Sequence, residues 1–187
     1  MSGGIAREQH TVAKIIKSLG IPVFNSDLEA KIIINSNDDV IKSIINEFGN
    51  VYTSKGLDTK KLATIVFNDS MALTILNKIV HPEVKLTFDK WVEKHSEEKI
   101  LVKEAAILFE TEAFKELDKT ILVIAPQELK IKRVVNRDGV DEIDVKRRME
   151  AQMNDEEKLN LANFIIYNDD QQLLIPQLIE VLSNLKA

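Results

Sequence analysis

The sequence predicts an α/β fold with a parallel sheet, and two patterns support this. Short apolar runs that suit buried strands alternate with longer segments whose apolar residues recur at helical spacing. Parallel strands need long crossover connections, which helices usually supply, so the alternation favours a parallel sheet. Apolar residues make up 44% of the 187 residues, which is ample for the core of one domain.

The first elements are predicted to be a helix, a strand and a second helix. Apolar residues at helical spacing run from Val12 to Leu19, and Gly20 ends that helix. The range 21–24 is a short apolar run that is typical of a buried strand. Polar residues follow it, and we expect Asp27 among them to cap the next helix.

The middle of the chain shows mainly helical spacing. The predicted helices cover 40–48, 60–67, 71–78 and 83–95. Pro82 suits the first turn of the last of these helices, because the missing N–H costs nothing there.

The C-terminal half alternates again between strands and helices. Strands are predicted over 99–102, 120–124 and 165–167. A helix follows the Ala125-Pro126 break, and a helix over 173–185 closes the chain.

Composition and charge exclude several classes of function. The net charge of −5 argues against non-specific nucleic-acid binding, which needs a concentrated basic surface. The absence of cysteine excludes disulfides and thiolate metal sites, and it fits a reducing compartment. No apolar run reaches the ~20 residues of a membrane span, and the N-terminus lacks the apolar segment of a signal peptide. We therefore expect a cytoplasmic protein with no nucleic-acid or membrane partner.

Polar residues follow three of the predicted strands. They lie at 25–27, at Glu104 and at 168–170. Ligands of open α/β sheets bind at the carboxyl ends of the strands, so several acidic groups would border one cleft, as magnesium–nucleotide chemistry requires. The alternative is that each carboxylate caps a helix or a turn.

Six segments, in this order and spacing, resemble dephospho-CoA kinase over nearly the whole chain from Gly3. They are GIPVFNSDLEAK, IVHPEV, EAAILFE, VIAPQELKIKRVVNRDG, RRMEAQM and FIIYNDD. The resemblance implies a three-layer P-loop kinase fold with a parallel sheet, a helical substrate-binding domain and a lid. The core would cover about 1–30, 98–127 and 160–187, the helical insertion about 31–97 and the lid about 128–158.

This resemblance implies transfer of the ATP γ-phosphoryl group to the ribose 3′-hydroxyl of dephospho-CoA, the last step of coenzyme A synthesis. ATP and Mg²⁺ would take part, and the partners would be small molecules bound by a monomer or a small homo-oligomer. Another small-molecule kinase of the same P-loop class is a more remote alternative, since a fold alone does not fix the substrate.

The resemblance also assigns catalytic residues. Asp27 matches the family's proposed base, since a carboxylate can orient the hydroxyl and accept its proton. Asn25 stands where the family often has a second acid. Arg137 and Arg148 are candidates to close over the phosphates, because guanidinium groups pair bidentately with phosphate oxygens. The alternative for each arginine is a solvated helix face.

Further positions match the family's substrate and nucleotide sites. On the substrate side these are His81, Glu104, Phe109 and Glu110. Asn168 matches an asparagine near adenine, and a turn residue is the alternative. His81 could equally make a structural hydrogen bond at a domain junction.

The segment GGIAREQHTVAK stands where the family's P-loop belongs. Gly3, Gly4 and Thr11 match the pattern, but the range 6–10 lacks the Gly-x-Gly-Lys-Ser/Thr that cradles phosphates and binds magnesium. Glu8 would put a negative charge against the phosphates. ATP binding should therefore be badly weakened, and the alternative function is a CoA- or dephospho-CoA-binding relative that has lost ATP.

The family also has an apolar strand just before the two glycines, whereas only Met1 and Ser2 precede Gly3. We expect the first ten residues as written to differ from the native ones. The alternatives are a nucleotide-deficient relative, or another segment in the place of the strand.

Overall fold

The computed structural model describes residues 1–4, 8–67 and 69–186, and it has the mixed α/β architecture with parallel strand pairing that the sequence predicts. The elements, in chain order, are α1 (Glu8–Ser18), β1 (Val23–Asn25), α2 (Ser26–Ser36), α3 (Asp38–Phe48), β2 (Tyr52–Thr53), β3 (Gly56–Leu57), α4 (Thr59–Phe67), α5 (Ser70–Lys94), β4 (Val102–Glu104), a 3₁₀ turn (Ala113–Glu116), β5 (Ile121–Ile124), α6 (Gln127–Asp138), α7 (Glu142–Glu150), α8 (Asp155–Leu161), β6 (Phe164–Tyr167) and α9 (Leu174–Lys186). The chain divides into two compact units, one of residues 1–23 and 100–187 and one of residues 24–99.

Parallel strands form the centre of the first unit. β5 and β6 pair in parallel, from Ile121 beside Phe164 to Ile124 beside Tyr167. Ser2 forms a parallel bridge with Leu122 on the other side of β5.

Met1 and Ser2 lie between β4 and β5. The Ser2 N–H donates to the Ile121 carbonyl at 3.0 Å, and the Val123 N–H donates to the Ser2 carbonyl at 2.8 Å. On the other side, the Ala105 N–H donates to the Met1 carbonyl at 3.1 Å. The Met1 ammonium donates to the Lys103 carbonyl at 2.6 Å, and burial lowers the pKa of this ammonium to about 5. Two residues therefore connect the two halves of the sheet.

Apolar side chains of α1, β5, β6 and α9 form the core of this unit. Its members are Met1, Val12, Ala13, Ile16, Val102, Ile121, Val123, Ile166, Leu178, Val181 and Leu182. Because α1 and α9 each bury one apolar face in this core, their 3.6-residue spacing was visible in the sequence. A smaller apolar cluster joins α6 to α7 through Ile131, Val134 and Val145.

The second unit is a helical bundle with one short hairpin. Its core includes Phe24, whose ring lies 5.1 Å from that of Phe88 and 5.5 Å from that of Trp91, between ring centroids. β2 and β3 pair antiparallel, and neither strand was predicted, because each has only two residues. Gly56, with φ of 101°, fits there because a Cβ would lie 2.5 Å from Asn35 Oδ1.

Two predictions for this unit are wrong. Pro82 does not begin a helix, because α5 runs without interruption from Ser70 to Lys94 and contains it. The ring of an exposed proline can be accommodated inside a long helix at the cost of one backbone hydrogen bond. Asp27 is not the N-cap of α2, because the Asn25 side chain accepts the Leu28 N–H at 2.8 Å.

The remaining boundaries shift by a few residues. β4 covers Val102–Glu104, whereas the prediction was 99–102. Among the residues that the structure describes, no helix is both long and apolar enough to span a bilayer.

Candidate functional site

The glycine pair directly after Ser2 makes a turn in which larger residues do not fit. A Cβ on Gly3 would lie 2.7 Å from Gln9 Oε1 and 3.0 Å from the Val123 carbonyl oxygen. Gly4 has φ of 83°, in the left-handed region that favours glycine. The chain thus turns sharply at the carboxyl end of the sheet. Residues 5–7, which include part of the departure from the P-loop pattern, lie outside the described residues.

Helix α1 begins with two buried polar residues. Glu8 and Gln9 have exposed fractions of 2% and 1%. Among the described residues, Arg133 is the cation that forms an ion pair with the Glu8 carboxylate, with Nη1 at 3.7 Å from Oε1, a distance too long for a hydrogen bond. Burial raises the pKa of Glu8, although the charges of Lys130 and Arg133 oppose this shift.

Thr11 lies exposed on α1, one turn after Glu8. His10, beside it, points its Nδ1 at Glu104, with 3.3 Å between Nδ1 and Oε1. The Glu104 side chain is only 3% exposed, at the end of β4. Glu104 is therefore buried at the end of the sheet, whereas Thr11 is exposed.

Arg133 of α6 links the start of α1 to the end of β6. Its Nη1 donates to the Asn168 carbonyl at 3.0 Å, and its Nη2 donates to Asp170 at 2.7 Å. The same Nη2 lies 3.4 Å from Asn168 Oδ1. Asn168 is thereby fixed next to the guanidinium that also contacts Glu8. No sequence pattern singles out Arg133, because periodicity does not reveal a contact with β6.

Asp169, next to Asn168, has a structural role. Its carboxylate accepts the N–H groups of Gln171 and Gln172 at 3.0 and 2.9 Å, and the Gln172 bond is the main reason that the pKa of Asp169 is lowered. This residue closes a turn, which was the alternative considered for the acidic residues at strand ends.

Arg137 and Arg148 stand in different environments. Arg137 pairs through two nitrogens with Asp138, at 2.6 and 2.7 Å, and this bond is the main cause that raises its pKa, to which Glu8 also contributes. Arg148 is exposed on α7 and has no carboxylate partner within the described residues. Gln152, four residues after Arg148, lies beyond the end of α7 at Glu150.

Glu110 and Phe109 are both buried, with different contacts. The Glu110 carboxylate forms an ion pair with Lys158 of α8 at 2.7 Å, with exposed side-chain fractions of 17% and 3%. Phe109 is fully buried, and its ring centroid lies 5.4 Å from that of Phe114. Lys158 is also near the glycine turn, since its Nζ would lie 4.0 Å from a Cβ on Gly4. Lys158 was not predicted as a site residue, because a lone lysine on a polar helix carries no distinguishing signal in the sequence.

The second unit holds Asp27 and His81. Asp27 is half-buried in the first turn of α2, where Asn25 supplies the cap. His81 is exposed on α5, immediately before Pro82.

The residues present offer little to a metal ion on their own. No cluster of three or more His, Asp or Glu side chains suited to a metal occurs among the described residues. At the sheet end the buried carboxylate is Glu104, which His10 already contacts. A magnesium ion there would depend on phosphate and water oxygens, which is how Mg²⁺ binds in most nucleotide sites.

Comparison with known proteins gives a consistent family. The family model described as dephospho-CoA kinase matches residues 1–173. A dephospho-CoA kinase of Bacteroides fragilis is 34% identical over 184 residues, which cover 98% of this chain and 90% of that protein. The Chlorobaculum tepidum protein of the same name is 35% identical over 177 residues, which cover 90% of this chain and 85% of the relative.

Solved structures show the same fold. A crystal structure from Thermus thermophilus superposes with a TM-score of 0.80 at 29% identity, covering 99% of this chain and 93% of the other. A dephospho-CoA kinase from Campylobacter jejuni superposes with a TM-score of 0.70, also at 29% identity, covering 98% and 94%.

Proposed function

The chain belongs to the dephospho-CoA kinase family, and we propose that it transfers the γ-phosphoryl group of ATP to the ribose 3′-hydroxyl of dephospho-CoA. The observation that carries this proposal is the family match over residues 1–173, which includes the glycine turn, the basic face of α6 and Asn168. The comparisons do not support the alternative of a binding protein without kinase activity.

We assign the nucleotide to the edge of the sheet where Gly3 and Gly4 turn. Because glycine has no side chain, their backbone N–H groups would approach the phosphates closely. Thr11 of α1 would face the same ligand, and Asn168 would read the adenine edge from its position beside Arg133. Phosphoryl transfer requires charge neutralisation, which Arg137 and Arg148 would provide.

The acceptor side is assigned to His81, Glu104, Phe109 and Glu110. His81 is exposed on α5, whereas the carboxylates of Glu104 and Glu110 are buried, at the end of β4 and in the loop that follows it. Phe109 would act through packing, since its side chain is fully buried. Asn25 caps α2, and Asp27 lies in the first turn of that helix. Asp27 would orient the 3′-hydroxyl and accept its proton.

Magnesium would enter with the nucleotide and would be held by its phosphates, with Glu104 as the protein carboxylate at the sheet end. When bound, the ion neutralises phosphate charge during transfer. We assign the reaction to the cytoplasm and to small-molecule partners alone, in a monomer or a small homo-oligomer.

An assay with ATP, Mg²⁺ and dephospho-CoA, with the product identified by mass spectrometry, tests the proposal. Formation of a 3′-phosphorylated product is expected. Asp27→Asn should abolish turnover and leave ATP affinity largely intact, whereas the exposed Asp38→Asn should leave turnover unchanged. Binding of dephospho-CoA without any product would favour the non-catalytic alternative, and a near-normal rate in Asp27→Asn would refute the role of Asp27.

A further inference from the structure

Glu8 is a buried carboxylate without adequate hydrogen bonding. It is the first residue of α1, and its side chain is 0% exposed. Apart from its own backbone N–H, no group in the part of the chain that the structure describes donates a hydrogen bond to either carboxylate oxygen. Buried carboxylates are normally hydrogen-bonded, because each missing donor costs free energy in a low-dielectric site. The position of Glu8 therefore needs an explanation beyond local packing.

The surroundings of Glu8 are suited to an anion. Lys130, Arg133 and Arg137 are spaced three and four residues apart on one face of α6, and the charge of Glu8 acts on all three. The positive end of the α1 dipole adds to this field. Each cation also has a carboxylate partner: Lys130 pairs with Asp155 of α8, Arg133 with Asp170 and Arg137 with Asp138.

Those partners differ from Glu8 in their access to water. The side chains of Asp155, Asp170 and Asp138 are 46%, 67% and 32% exposed, so water screens them, whereas Glu8 is wholly enclosed. A group with more oxygens than a carboxylate, at the same place, could reach the guanidinium nitrogens that Glu8 approaches only to 3.7 Å. Phosphate groups fulfil that description.

We propose that Glu8 occupies the anion site of this protein itself and competes there with the phosphates of a nucleotide. A polyphosphate binds only after the Glu8 side chain moves out of the site, so the chain contains its own competitive anion. The inference rests on the proposed function solely in naming nucleotide phosphates as the natural ligand. This competition gives a role to Glu8, an acidic residue that a phosphate-binding loop does not otherwise contain.

Binding of inorganic tripolyphosphate, measured by calorimetry at neutral pH, tests this directly. Glu8→Gln removes the charge and keeps the size, and we expect it to bind tripolyphosphate about tenfold or more tightly than the unsubstituted protein, since like charges placed together cost several kcal/mol. The matched control is Glu180→Gln, which makes the same charge change on an exposed residue of α9. The control should bind within about twofold of the unsubstituted protein.

The inference fails if Glu8→Gln binds no more tightly than the control, or if neither chain binds tripolyphosphate. Glu8→Ala replaces Glu8→Gln should the latter not fold. Carbodiimide labelling of carboxylates, followed by mass spectrometry, needs no variant at all. Glu8 should resist labelling in the free protein and become labelled when tripolyphosphate is present. Tripolyphosphate binding without any change in the labelling of Glu8 would overturn the inference.

These measurements do not depend on turnover. If no phosphorylated product forms but Glu8→Gln still gains affinity, the proposed reaction fails and the competition by Glu8 stands. If product forms while Glu8→Gln shows no gain, the reaction stands and Glu8 is not a competitor.

Discussion

Lys158 Nζ lies 2.7 Å from Glu110 Oε1, and the two side chains are only 3% and 17% exposed. It fastens α8 to the loop that follows β4. The same ammonium lies near the glycine turn at the sheet edge, 4.0 Å from the position of a Cβ on Gly4. A buried pair of this kind is costly to break from one side, since the remaining charge is left without a partner.

Lys158→Met should therefore lower the free energy of unfolding by about 3 kcal/mol or more, because it leaves the Glu110 carboxylate buried and unpaired. Urea denaturation measures the change. The matched control is Lys115→Met, whose pair with Glu112 is 59% and 67% exposed and should cost less than about 1 kcal/mol. Equal losses in the two variants would show that the burial of the Lys158 pair has no energetic consequence.

Glu8→Gln should change how stability depends on pH. The folded pKa of Glu8 is raised above 4.5, so folding disfavours its charged form. Below the unfolded pKa, Glu8 is protonated in both states and does not lower the free energy of unfolding. As pH rises through the folded pKa, the buried carboxyl ionises and this free energy falls. The amide introduced by Glu8→Gln carries no such charge, so the variant should gain stability over the unsubstituted protein as pH rises from about 4 to 7. Thermal unfolding across this range measures the difference, and a difference independent of pH would contradict the prediction.

Gly3→Ala should destabilise the first unit. Its Cβ would lie 2.7 to 3.0 Å from the side chain and backbone of Gln9 and from the Val123 carbonyl, so β5 and α1 would have to separate. We expect a loss of about 1–3 kcal/mol, typical of overpacking. Gly139→Asn serves as control, because the left-handed conformation after α6 is open and asparagine tolerates it. Chemical denaturation measures the free energy of unfolding of both variants. Equal values for Gly3→Ala and the control would show that the turn has room for a side chain.

Pro82→Ala should stabilise the second unit. Pro82 is exposed inside α5, where it removes a backbone hydrogen bond and loses no buried packing when replaced. We expect the free energy of unfolding to rise by about 1 kcal/mol or more. Lys78→Ala, on the same helix and also exposed, should change it by less than about 0.5 kcal/mol. A lower melting temperature for Pro82→Ala would mean that the ring makes a stabilising contact.

The elements with continuous apolar patterns were predictable from the sequence. β5 and β6 lie within a residue of the predicted ranges, because each is an unbroken run of aliphatic or aromatic side chains. The choice between Asn25 and Asp27 as the cap of α2 was not predictable, since both side chains can accept the same kind of N–H. The residue at which α2 begins decides which side chain caps it, and the helix begins at Ser26, directly after Asn25.

The charged contacts of the site were the least predictable part. Glu8 is buried because α6 brings cations to it from a distant part of the chain, and Lys158 is buried because Glu110 lies opposite. Neither residue has a local signal of burial, since glutamate and lysine are exposed in most proteins. The resemblance to a family located the glycine turn, but only the folded arrangement gives the partners of the charges around it.

Arg133 touches the beginning of α1 through Glu8 and the end of β6 through Asn168. One guanidinium thus connects two halves of the proposed nucleotide site. If the phosphates displace Glu8, Arg133 gains a new partner and its hold on Asn168 changes with it. Adenosine and tripolyphosphate, offered as separate molecules, should then influence each other's affinity by the same factor in both directions, as thermodynamic linkage requires.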